Sequence, residues 1–134
     1  MNAKLPGYLF DYTYHSNQRW KSGVADIIKS THSAVYGVLW RVDTAELPTL
    51  VTWQMASTPT SPLAKKVVTV TDDEGNSYEA LTFYVVRKSK GEDIGGKYRR
   101  FPPSRQYRNC VLKGAKENHL PYDYVTHRLK SRAL

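Results

Sequence analysis

Pro102-Pro103-Ser104-Arg105-Gln106-Tyr107-Arg108-Asn109-Cys110-Val111-Leu112-Lys113-Gly114-Ala115-Lys116-Glu117-Asn118-His119-Leu120-Pro121-Tyr122-Asp123-Tyr124 is the helical end of a chain that otherwise reads as strands. Paired prolines do not sit inside a helix and the serine after them is a good N-cap, so a helix starts at Ser104. Tyr107, Cys110, Val111, Gly114 and Ala115 return at helical spacing, which assigns Cys110 to the buried face. Leu120-Pro121 ends this helix. Pro121 then suits the first turn of a second one, continued by Tyr124, Val125, Arg128 and Leu129.

Upstream the signals change. Residues 8–14 alternate aromatic and aliphatic side chains, as a strand does. Residues 23–28 are a short apolar run. Residues 34–42 are rich in aromatic and β-branched residues and read as a buried strand, with Tyr36 and Trp40 in the core and Gly37 at a bend or close approach. Asp43 or Thr44 caps one short helical turn that Pro48 limits. Residues 56–62 are Ser/Thr/Pro-rich and read as loop. Residues 64–71 and 77–86 are two strands joined by the turn Asp73-Glu74-Gly75-Asn76, in which Gly75 is free to take positive φ. Residues 88–100 form a charged loop. Strands followed by helices make an α+β plan over one domain, residues 1–134.

The composition is globular: 134 residues, 40% hydrophobic, 24% charged, with ten tyrosines and three tryptophans to bury. No apolar run approaches the roughly 20 residues of a membrane helix, and residues 1–6 lack a signal-peptide core. The single Cys110 excludes an internal disulfide, and a reducing, cytoplasmic setting is the expectation. The four histidines have no metal-ligand spacing, so no metal or cofactor is expected. The net charge of +8 favours anionic partners without choosing among them.

Three blocks, in order and at compatible spacing, carry a family resemblance. They are Leu5-Pro6-Gly7-Tyr8-Leu9-Phe10-Asp11-Tyr12; then Trp20-Lys21-Ser22-Gly23-Val24-Ala25-Asp26-Ile27 with Val35-Tyr36-Gly37-Val38-Leu39-Trp40; then Pro102 to Tyr107 with Gly114-Ala115-Lys116-Glu117-Asn118-His119-Leu120-Pro121. Together they resemble the γ-glutamylcyclotransferase family over nearly the whole chain. The resemblance implies a small mixed β-barrel with flanking C-terminal helices. It also implies a reaction in which the substrate's own α-amine attacks its γ-carbonyl, expelling an amine and leaving 5-oxoproline. Such chemistry needs a base to take the ammonium proton and donors to hold the substrate carboxylate. The family supplies the base as a Glu in a Leu-Asp-x-x-Glu-Gly-like turn, and the donors from a Tyr-Gly-Ser-Asn loop.

Neither is found where the resemblance puts it. Residues 47–71 contain no Asp and no Glu. Counted forward from Leu47 the Glu position falls on Gln54; counted back from Glu74-Gly75 it falls on Ala56. Gln54 can hold a ligand but takes no proton at neutral pH. Tyr14-His15-Ser16-Asn17 is similar to the donor loop, but His15 stands where glycine lets the backbone approach the substrate. The register places this segment in a later hairpin, and the family's first strand and loop are expected to be missing. Asp26 is the substitute base if it faces inward; by alternation with Val24 and Ile27 it is expected to face out.

The resemblance therefore implies a cyclotransferase-like protein without turnover, a binding or structural module whose pocket candidates are Gln54, Trp40 and Tyr107. An active enzyme of glutathione metabolism is the alternative. An acidic small molecule is the expected ligand, and a homodimer through an exposed barrel edge the expected assembly. A rival reading takes Lys97, Arg99, Arg100 and Arg105, interleaved with Tyr98, Phe101 and Tyr107, as a nucleic-acid or polyanion surface.

Overall fold

The computed structural model describes residues 1–16, 21–53, 63–86 and 100–130. Its elements are β1 (Asn2–Ser16), β2 (Ser22–Val38), a 3-10 turn (Thr44–Glu46), α1 (Leu47–Trp53), β3 (Leu63–Thr71), β4 (Ser77–Val85), α2 (Arg105–Glu117), α3 (Tyr122–Tyr124) and a π turn (Val125–Leu129). The strands lie in the order β2-β1-β3-β4, and the helices follow them, as the α+β reading requires.

The expected mixed barrel is corrected. Every strand pairing is antiparallel, and the sheet is open, with β2 and β4 outermost. The two hairpins diverge, which explains the opening: β1 and β3 pair at Lys4↔Thr71, whereas β1 and β2 pair from Asn2↔Val38 to Ser16↔Ser22. The ends of β2 and β4 still approach, and there the Asp26 carboxylate accepts a hydrogen bond from the Val85 N–H at 2.9 Å. A side chain stands where a closed barrel would have backbone bonds.

The β1–β2 ladder steps from Tyr8↔Lys29 to Pro6↔Ala34, so Gly7 faces residues 30–33. Gly7 takes φ +82, a conformation cheap for glycine. The Asp72 carboxylate organises the β3–β4 turn, accepting from the Glu74 and Asn76 N–H groups, Asn76 Nδ2 and the Tyr78 hydroxyl. Gly75 takes φ +83 there, as its sequence position requires.

Two cores result. Leu5, Ile27, Val68 and Val70 pack between the strands. Leu112, Ala115, Val125 and Leu129 pack between the helices, with Phe10 of β1 against them. Tyr12 locks the second core to the sheet: it is fully buried, and its hydroxyl donates to the Leu129 carbonyl at 2.9 Å. Ser104 caps α2 as expected, accepting from the Tyr107 N–H at 3.1 Å.

Four local expectations are corrected. Pro48 does not limit the turn before it; it lies in the first turn of α1, where its missing N–H breaks no bond. Trp40 is not core: β2 ends at Val38, and the indole beyond it is 72% exposed. Tyr36 is half-buried, edge-on to Tyr124. Cys110 is exposed, because α2 buries the stripe through Leu112 and Ala115.

Candidate functional site

A cavity of about 460 Å³ lies over the strand core, between α1 and the β3–β4 hairpin. That is within the usual size of small-molecule sites, roughly 300–1,000 Å³. Ala3, Leu5, Val68 and Val70 line it from the sheet, and Leu47 and Leu50 from α1. Trp40 and Val42, just past β2, stand at its exposed mouth. Apart from Glu79 and Thr82, every described lining residue is apolar. Because β4 is an outer strand, four consecutive residues, 79–82, border the opening.

Glu79 is the one described carboxylate on this cavity, and it is exposed. Reasoning from sequence missed it by seeking an acid between the Trp40 strand and the hairpin turn. The signal was available: once the turn at Gly75 fixes the start of β4, Glu79 is its third residue.

Asp26 faces inward, contrary to the alternation argument, and is 2% exposed. The first part of β2 is buried on both faces, from Ser22 to Ile28 except Ala25, so alternation carries no information there. Its Oδ1 accepts from the Ile27 N–H at 2.8 Å and the Val85 N–H at 2.9 Å, and its Oδ2 from the Thr13 hydroxyl at 2.6 Å. Asp11 lies directly opposite Asp26 in the ladder, and its Oδ1 takes an ion pair from Arg100 Nε at 3.2 Å. Neither carboxylate lines the cavity.

Tyr107 lies apart from the cavity, between the β1–β2 hairpin and α2. Its hydroxyl oxygen accepts from the Ala25 N–H at 2.9 Å, and its ring meets Tyr12 edge-on at 6.1 Å. Burial pushes the Tyr107 phenol up, against the bond from Ala25. Burial raises Tyr12 further, with neighbouring Tyr107 adding to it and Arg100 opposing. Gln54 and Ala56 lie outside the described residues, as do Lys97 and Arg99. Of the basic cluster, Arg100 is held by Asp11 and stacks 5.9 Å from the Tyr12 ring centre; Arg105 is exposed at the start of α2. Among the described residues no group of three or more His, Cys, Asp or Glu is placed to hold a metal, and no helix is long and apolar enough to cross a membrane.

An open antiparallel sheet with a capped C-terminal helix pair and an apolar cavity defines the class. The AIG2-like family model matches residues 34–128, and the chain belongs to that family. Among curated proteins it is similar to the γ-glutamylcyclotransferase of Bos taurus, 28% identical over 125 residues, and to that of Mus musculus, 27% identical. These matches cover 91% of this chain and 60% of each relative, so the chain spans well under two thirds of their length. A solved structure named as a γ-glutamyl cyclotransferase superposes with a TM-score of 0.82 at 25% identity, covering 99% of this chain and 73% of the other. A crystal structure of an uncharacterized Homo sapiens protein has the same TM-score, 0.82, at 24% identity and shares the fold.

Proposed function

We propose that this chain is a γ-glutamylcyclotransferase-like domain that binds a small molecule in its apolar cavity and does not turn it over. Asp26 carries the reading. It is the buried carboxylate of the described core, and its oxygens are already spent on Thr13, Ile27 and Val85. A general base needs a lone pair within hydrogen-bond reach of the substrate proton. Asp26 does not line the cavity, and residues 47–71 contain no acid. Glu79 sits in water at the rim.

The cavity supports binding. Its walls reward apolar bulk, while Glu79 and Thr82 orient a polar end. One exposed cysteine and no described disulfide fit a reducing, cytoplasmic compartment. Pairing of two copies along an outer strand belongs to the same proposal, and a single-chain mass at micromolar concentration contradicts it.

The neutral dye Nile red tests the cavity. Saturable emission that Leu81→Glu abolishes is expected, because Leu81 borders the opening and is 37% exposed. The substitution should leave the fold intact. Dye emission unaffected by Leu81→Glu sinks the binding reading.

A further inference from the structure

A second cavity, of about 440 Å³, lies where α2 ends and the C-terminal turn begins. Its floor is apolar: Leu112 and Val125 are buried, and Leu120 packs beside them. Its rim carries the cations Lys116 and Lys130, with the His119 imidazole and Thr126 beside them. Among the described residues no acidic one lines it. Nearby Glu117 instead faces Lys113 at 3.9 Å. Neither Lys116 nor Lys130 has a carboxylate partner among the described residues. Tyr122 adds an aromatic face that is 80% exposed.

Lysines near a helix C-terminus often serve only to cap its carbonyls. Here the carbonyls of Gly114, Ala115 and Lys116 already have backbone N–H partners. Leu120 N–H reaches Ala115 O at 3.0 Å and His119 N–H reaches Lys116 O at 3.1 Å, a complete Schellman closure. Asn118 Nδ2 adds a bond to Gly114 O at 2.8 Å.

The backbone gives an independent sign. His119 occupies the left-handed position of that closure, at φ 57. Glycine takes this position without penalty, and an imidazole does not. This side chain stands on the rim of the cavity.

We infer that this groove is a binding site for a small organic anion with an apolar or aromatic body, its charged end held by Lys116, His119 and Lys130 and its body laid on Leu112, Val125 and Tyr122. The site is separate from the cavity over the sheet and does not depend on what that cavity binds. The net charge of +8 aids capture over distance.

Phenyl phosphate, inorganic phosphate and phenol, titrated separately into isotope-labelled protein, test the inference by NMR. Phenyl phosphate should shift the amides of residues 116–126 saturably and bind at least about tenfold more tightly than phosphate or phenol. Joint Lys116→Gln and Lys130→Gln should weaken it at least about tenfold; both positions are exposed, so the fold should hold. His119→Gly should raise the melting temperature by relieving the left-handed strain, and weaken phenyl phosphate binding as well. Absent saturation, shifts centred elsewhere, or an undiminished affinity in the lysine double variant overturns the inference. A His119→Gly protein that is stabilised yet binds as tightly removes the histidine from the site.

Discussion

Asp26 shows how one residue divides structure from chemistry. A carboxylate that accepts from Thr13, Ile27 and Val85 joins β1, β2 and β4. Asp26→Asn turns one acceptor into a donor facing donors. It should cost about 1–3 kcal/mol, the usual penalty for a buried group left unmatched; urea denaturation measures it, and unchanged stability contradicts a structural role. The buried tyrosines make a second prediction. Burial pushes Tyr124 up to about 12, with the Tyr36 backbone opposing, and raises Tyr12 and Tyr107 as well. In the unfolded chain these phenols lose their protons near 10. Above that pH the unfolded state sheds protons that the folded state keeps, so stability is full below about pH 10 and falls as pH rises toward 12. The urea midpoint should drop between about pH 10 and pH 12, and drop less in Tyr124→Phe.

Among the elements, the point where Phe101-Pro102 crosses the β1–β2 hairpin is the least forgiving. Phe101 N–H donates to Tyr12 O at 2.9 Å, and Gly23 N–H to Pro102 O at 3.1 Å. A Cβ on Gly23 would overlap the Phe101 carbonyl. Gly23→Ala should therefore destabilise by about 1–3 kcal/mol, as overpacking does, whereas Gly37→Ala meets open space and should be far milder. This contrast explains what was legible beforehand. The β3–β4 hairpin and the Ser104 cap were readable because turn and cap chemistry is local: Gly75, Asp72 and Ser104 carry their own instructions. Asp26 and Cys110 were misread because their environments are set by distant chain. Packing on both faces of β2 cancels alternation, and the buried stripe of α2 is chosen by Val125 and Leu129 rather than by α2 alone. Trp40 was misread because an aromatic run does not say where its strand stops.

For the whole molecule, the shared fold does not by itself carry the activity. The chain superposes on a solved structure named as a γ-glutamyl cyclotransferase at a TM-score of 0.82. The chain, however, spans 60% of the length of its curated relatives, and among the described carboxylates Asp26 and Asp11 are held in structural bonds while Glu79 is exposed to water. That residues 47–71 contain neither Asp nor Glu was legible. The apolar cavity was not, because it is assembled from β1, β2, α1, β3 and β4 together. The most direct test is the release of 5-oxoproline from γ-glutamyl-alanine by the purified chain. No release above the buffer rate is predicted, for the chain and for Glu79→Gln alike; sustained release by the chain that Glu79→Gln or Asp26→Asn abolishes would contradict the account.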